Sequence, residues 1–440
     1  MNIEGVPPQP DEPEISLNRL AVEKEGDYVE RIRLQAEGII DQCLSEYGVV
    51  NHRVVEAHKT RKSVFGCVEV EGEKRFFKIS KPSRILQELQ GYKIAAEYPH
   101  ERIVDHFFLD DYGLYLQDYC EEISTSEGQM QSQINRILQQ IDTQDVQKVL
   151  QGTGRLFDTM GSIFQRHFTK MPLILHGQND RFFYDRVKPG GRIDQLYAGR
   201  MFNFPSLSES ITFEDLSKLT FVVNGEIMSL TLGELIKKAR HDLSPEHNRF
   251  FVLSQGDPTE TNMALCGKFF DFETGGYNDL IQDIAIFSYY NYSGGHYFIP
   301  KYFNTETLSD MRSRDRQEYD SLSEFSSGVT VSCELDRKNQ KLVVNGQFPY
   351  PKLKQEIYTQ FRDSVVRPVT RLLPAGCEQE LVGRLQSAFL LRAIGVKDIA
   401  GMDEKDLILS LILANHFAQP DPGSGGLIDF LDQKMVDIHS

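Results

Sequence analysis

The chain has 440 residues, 40% hydrophobic and 25% charged, with a formal net charge of −16. That length exceeds one small core and predicts two lobes or domains of ordinary globular composition. Its 64 acidic against 48 basic side chains repel nucleic acid and favour cationic partners, and no apolar run approaches the roughly 18 residues that would span a bilayer.

The opening twenty residues carry prolines and carboxylates where a signal peptide needs basic and then apolar residues, so the expected location is cytoplasmic. Residues 1–16 read as a disordered arm, because their prolines and low apolar content cannot form a core. Residues 17–122 follow as a small α+β lobe. Ile32, Ala36, Ile39, Ile40, Cys43 and Leu44 recur at helical spacing, which predicts an opening helix. The run Val64 to Val70 and the run Arg75 to Ile79 flank a polar turn with Gly72 and predict a β-hairpin. Pro82 marks a break, and Ser83 is the expected N-cap of a helix over 84–97. Two further β runs, 103–109 and 114–119, meet at Asp110-Asp111-Tyr112-Gly113.

The remainder, 123–440, is expected to form the larger, mainly helical lobe. Its Gln- and Ser-rich start (123–146) reads as a linker or polar helix, followed by a helix over 146–168. An insertion at about 170–228 has few helical signals and ends in an Asn224-Gly225 hairpin. A helix over 231–242 follows, a second Asn-Gly hairpin is expected at Asn345-Gly346, and 351–418 is helical by periodicity. The six cysteines lie far apart with no CxxC pair, which excludes a zinc ribbon or dense disulfide framework and leaves free thiols.

The chemistry concentrates at 251–273. An apolar run delivers Gly256-Asp257 into a polar loop, Asn262 follows five residues later, and a short hairpin presents Asp271. Phosphoryl transfer needs a carboxylate to orient the attacking hydroxyl, with carboxylate and amide oxygens to hold magnesium against the phosphates. Asp257 suits the first role; Asn262 and Asp271 suit the second.

Gln255-Gly256-Asp257-x-x-x-x-Asn262 followed by Phe270-Asp271-Phe272-Glu273 resembles the signature of the aminoglycoside phosphotransferase and choline kinase branch of the protein-kinase-like fold. The resemblance implies a two-lobed kinase-like α+β architecture and phosphorylation of a small-molecule hydroxyl by ATP or GTP. It makes Asp257 the catalytic base, Asn262 and Asp271 the magnesium ligands, and Asp283 a buried anchor for the loop. Glu273 either binds a second magnesium or faces solvent. Upstream, Lys78 ends a β run and Glu88 lies ten residues on in the next helix, the order in which such a fold places its phosphate-binding Lys and that Lys's partner. The basic loop Lys59-Thr60-Arg61-Lys62-Ser63 falls where the fold covers phosphates, and Leu116 to Cys120, including Asp118, Tyr119 and Cys120, falls at the interlobe hinge that meets the adenine.

Two departures stand out. Gln255 occupies the place of the family's His, and only nine residues separate Asn262 from Asp271. They motivate a rival reading as a nucleotide-binding pseudokinase scaffold; a protein kinase is a second rival, disfavoured by the missing glycine-rich loop. The acidic balance points weakly to an amine- or sugar-bearing acceptor. Arg181-Phe182-Phe183-Tyr184-Asp185-Arg186, followed by Lys188-Pro189-Gly190-Gly191-Arg192-Ile193-Asp194, reads equally as a substrate-contacting insertion or as a surface loop pinned by aromatic packing. Tyr289, Tyr290, Tyr292, His296 and Tyr297 could wall a ligand, with core packing the more frequent outcome for such a run.

Overall fold

The computed structural model describes residues 25–46, 48, 51–59, 63–121, 129–138, 146–171, 178–247, 249–293, 330–396, 398–420, 425–436 and 438. The expected arm 1–16, residues Thr60–Lys62 of the basic loop, most of 123–129, His296 and Tyr297 lie outside them.

The amino-terminal part is a five-stranded antiparallel sheet with a helix on it. Helix α1 (Glu25–Glu46) precedes β1 (His52–Lys59), β2 (Val64–Val70) and β3 (Glu73–Ser80); α2 (Pro82–Ile94), β4 (Ile103–Phe108) and β5 (Gly113–Asp118) complete it. The sheet order is β1-β2-β3-β5-β4. The 3.6-residue stripe of α1, Ile32, Ala36, Ile40 and Cys43, packs against Val54, Val68, Phe77, Ile79 and Leu114 as one apolar cluster. The expected break at Pro82 is instead the first turn of α2, with Lys81 at the N-cap. Proline fits there because its missing N–H would have no helical partner.

The carboxy-terminal part is mainly helical: α3 (Met130–Leu138), α4 (Val146–Arg166), α5 (Leu232–Asp242), α6 (Leu280–Ser293), α7 (Lys352–Phe361), α8 (Glu378–Ile394), α9 (Glu404–Ala418) and α10 (Leu427–Lys434). The Gln-rich stretch thus carries a real helix, α3. The insertion contains several single helical turns, among them Gln178–Phe182, Tyr184–Val187 and Arg192–Tyr197, too short to leave a periodic trace in the sequence. Among the described residues, no helix is long and apolar enough to cross a membrane, and Cys43, Cys67 and Cys333 are free thiols.

Strands in this part serve as struts. The central β8 (Arg249–Ser254) lies between β6 (Thr169–Met171) and β9 (Gly276–Asp279), antiparallel to both. The Asn224-Gly225 turn forms as expected, with both residues at positive φ, after β7 (Thr220–Val223). Asn345-Gly346 does not turn. It lies inside β11 (Lys341–Gly346), which pairs antiparallel with β10 (Val331–Asp336) and parallel with β7. The Asn224 side chain accepts from Gly346 N (2.9 Å) and donates to Gly346 O (3.0 Å), so the two Val-Val-Asn-Gly segments hold each other. Tertiary pairing overrides the local turn preference here.

Candidate functional site

The site forms where α2 and β3 meet the loop after β8. The Lys78 ammonium on β3 lies 2.7 Å from the Glu88 carboxylate on α2 and 3.2 Å from Asp271 Oδ1. Glu88 is buried and also accepts from the Tyr115 hydroxyl at 2.9 Å. Burial alone would discharge Lys78, but Asp271 and Glu88 outweigh it and hold the ammonium charged above its ordinary range. Two carboxylates, one of them 193 positions away, therefore share one cation.

Helix α2 reaches this point because of a glycine. At Gly91, one turn beyond Glu88, an added Cβ would sit 1.8 Å from the Phe272 carbonyl oxygen. The helix backbone thus rests directly on the turn that follows Asp271, and Phe272 packs its ring on Tyr92 with centroids 4.6 Å apart. Asp271 itself adopts φ 57°, ψ 64°, a left-handed conformation uncommon outside glycine and enriched at functional turns.

The loop after β8 is held by its own amides. Gly256 has φ 93°, and a Cβ there would lie 2.0 Å from the Thr274 carbonyl oxygen, so a side chain is excluded twice over. Gln255 is buried; its Nε2 donates to the Phe270 (2.9 Å) and Asp271 (2.6 Å) carbonyls while its Oε1 accepts from the Asp257 backbone N–H (2.9 Å). One carboxamide therefore ties Asp257 to Asp271, a linkage that uses a donor and an acceptor together. Asn262 is buried and donates through Nδ2 to the Asp257 carbonyl (2.9 Å) and, more weakly, to its carboxylate (3.4 Å). The tight turn through Gly267, φ 95°, closes the short hairpin of Met263–Ala264 with Lys268–Phe269 and absorbs the nine-residue spacing.

Behind the loop the supports are buried. Asp283 accepts from Asn179 Nδ2 (3.0 Å), and burial pushes its carboxyl up to about 8 against the hydrogen bonds from Ser254 and Asn179. Asp279 is enclosed by Arg249 (2.7 Å) and Arg384 and caps Ile281 N, a structural place at the start of α6. Tyr289 and Tyr292 are core residues.

Other expected site residues have definite neighbours. Glu273 lies 3.3 Å from Arg84 and 3.2 Å from Arg181. Asp118 pairs with Arg75 (2.7 Å) and Arg102 (3.1 Å), and its backbone N–H donates to the Arg102 carbonyl (2.9 Å). Tyr119 lies under the Lys74 ammonium, 5.5 Å from its ring centroid, and Cys120 is half-buried beside it in sequence.

Three arginines act electrostatically on Asp257: Arg181 and Arg186 of the aromatic insertion segment, and Arg392, which no motif singled out. Burial pushes the Asp257 carboxyl above the ordinary carboxylate range; Arg392 opposes that, Asp271 adds to it, and Arg181 and Arg186 oppose it further. The only sequence trace of Arg392 was a charged residue in the otherwise apolar run Phe389 to Ile394.

No known protein family matches the sequence, and no curated protein does. Among solved structures, the fold is similar to a thermostable mutant of aminoglycoside phosphotransferase APH(4)-Ia, determined as a ternary complex with ADP and hygromycin B. The two share 10% identity at a TM-score of 0.40, over 87% of this chain and 98% of that one. At that score the likeness assigns neither substrate nor chemistry to this chain.

Proposed function

We propose that this chain is a small-molecule phosphotransferase of kinase-like architecture, moving the terminal phosphoryl group of ATP or GTP to a hydroxyl. The observation that carries the reading is the shared cation: Lys78 bridges Glu88 and Asp271, and Gln255 links that same Asp271 to Asp257. A cation fixed from two sides, beside a loop that presents a carboxylate and an amide oxygen, suits polyphosphate binding.

The residues fit magnesium as well. Asn262 Oδ1 and the Asp271 carboxylate are hard oxygen donors, and magnesium takes one or two protein oxygens together with substrate phosphates. The ion would neutralise charge on the phosphates. Glu273 would first have to release Arg84 and Arg181, so the assignment rests on Asn262 and Asp271.

In the proposed step the acceptor hydroxyl oxygen forms a bond to the γ-phosphorus as the bond from that phosphorus to the β,γ-bridging oxygen breaks. The electron pair leaves with the nucleoside diphosphate, and the hydroxyl proton passes to Asp257 and on to water. Asp257 is half-buried, and burial raises its affinity for protons above the ordinary carboxylate range, the direction that favours a general base. Gln255 answers the pseudokinase reading in part, since its amide braces the loop rather than loosening it.

Two measurements check this. Calorimetric titration of ATP with Mg2+ is expected to show binding that Lys78→Met weakens about 10- to 150-fold, the scale of one lost charge-assisted contact of roughly 1.5–3 kcal/mol; undiminished binding in the variant would remove Lys78 from the phosphate site. Gln255→Ala, which strands three hydrogen-bonding groups, is expected to slow transfer by about 10–100-fold with nucleotide affinity nearly unchanged. An unaltered rate would show that the loop geometry does not depend on it.

A further inference from the structure

Among the described residues, Arg186, Arg192 and Arg392 lack the carboxylate partner that Arg249, Arg384 and Lys354 possess. Arg384 and Arg392 lie on the same helix, α8, and both are buried. Arg384 pairs with Asp279, and Arg249 pairs with Asp180 and Asp279. Arg392, 5% exposed, forms no ion pair with any described residue and its Nε has no hydrogen-bond partner. Its neighbour is Tyr290, whose ring centroid lies 4.8 Å from the guanidinium carbon and whose hydroxyl takes a hydrogen bond from it.

Arg186 and Arg192 repeat the pattern. Among the described residues Arg186 donates to the Gly395 carbonyl (3.4 Å) and Arg192 to the Val396 carbonyl (3.2 Å), both just after α8, neither has a carboxylate partner, and Arg192 Nε is buried without a hydrogen-bond partner. The side of Phe182 is covered by both Arg181 and Arg186, 4.9 and 5.3 Å from its centroid. In a chain with an excess of 16 negative charges, carboxylates to neutralise these groups are plentiful. A buried guanidinium without one is costly, and a planar fork is the side chain best matched to carboxylate and phosphate.

We infer that Arg186, Arg192 and Arg392 form an anion-binding subsite beside Asp257, and that the acceptor is a hydroxylated small molecule carrying a phosphate or carboxylate group. Seated on the arginines, that group would orient the acceptor hydroxyl toward Asp257. The mutual crowding supports this: burial, then Arg392 and Arg192, bring the Arg186 guanidinium down to about 9, and a bound anion would relieve it. The net charge of the whole chain favours cationic partners, but the potential at a site is set by the groups within a few ångströms of it.

The substrate class rests on the phosphotransferase reading, whereas the anion subsite is testable apart from it. Inorganic phosphate and citrate are titrated calorimetrically into the full chain, once alone and once with a non-hydrolysable ATP analogue and Mg2+ filling the nucleotide site. Binding that persists beside the analogue, and that falls at least tenfold in both Arg392→Gln and the less buried Arg186→Gln, is expected. No anion binding by the wild type, or equal binding in both variants, overturns the subsite. Turnover is then compared across hydroxy acids, sugar phosphates, neutral sugars and amino alcohols. Preference for the anionic acceptors, with Arg186→Gln raising the acceptor KM and leaving the ATP KM unmoved, is expected. Preferred turnover of a cationic or neutral acceptor, or a rise in the ATP KM alone, overturns the substrate class. Failure of the ATP analogue to bind at all would sink the phosphotransferase reading while the anion titration without nucleotide still decides the subsite.

Discussion

Asp257→Asn is expected to lower Mg2+- and ATP-dependent transfer by about a thousandfold, the middle of the range for a positioned general base and equivalent to about 4 kcal/mol of barrier. The substitution is a mild one because the shorter bonds holding this residue are made by its main chain, with only a 3.4 Å contact from Asn262 Nδ2 to its carboxylate. Its N–H is taken by Gln255 and its carbonyl by Asn262, so the loop survives exchange of the carboxylate for an isosteric amide. Nucleotide affinity should change only a few-fold, since Lys78 and Asp271 are untouched. The pH profile offers a second readout. Burial, outweighing Arg392, raises the Asp257 proton affinity above the ordinary carboxylate range. The base must be ionised, so wild-type activity is lost as pH falls through that raised value, and the acid limb should vanish in the variant's residual rate. Equal turnover in the two proteins, with ATP bound by both, would leave a scaffold reading in possession.

How much of this was legible in the sequence follows from the range of each interaction. The β-hairpin, α1 and α2 were legible because local periodicity determines them, and Lys78 and Glu88 could be paired by order because β3 and α2 are consecutive. The start of α2 was misjudged by two positions, with Ser83 in place of Lys81 at the N-cap, because Pro82 was read as ending one element when it starts the next. Asn345-Gly346 misled because its preference for a turn is local, whereas β7, more than a hundred residues away, decides its conformation. Gln255 looked like a defect while only the missing His was visible. Its replacement function, bridging Asp257 to Asp271, depends on a fold-back of 16 residues that spacing cannot show. Arg186, Arg192 and Arg392 come from segments about 200 residues apart, so no motif could assemble them.

The same distance dependence governs the last prediction, which concerns the footing of the catalytic loop. Glu260 lies between Asp257 and Asn262, is 2% exposed, and forms an ion pair with Lys354 of α7, also 2% exposed. Asn291 Nδ2 donates to the other Glu260 oxygen at 2.9 Å, and the Tyr350 hydroxyl closes the network on Asn291 and on the Lys354 carbonyl. Every charge here is satisfied, so the network is expected to be nearly neutral as a whole yet intolerant of losing one member. Lys354→Met should therefore destabilise the fold by about 3–5 kcal/mol, because it leaves the Glu260 carboxylate buried without its cation. Adding Glu260→Gln should recover most of that loss, because no buried charge then remains. Denaturant midpoints for the wild type, the single variants and the double variant complete the cycle. A Lys354→Met cost below about 1 kcal/mol, the level of an exposed pair, would mean that water reaches Glu260. In that case Asn262 would owe its position to the backbone bond from its N–H to the Thr259 carbonyl, 2.9 Å, and not to the α7 anchor.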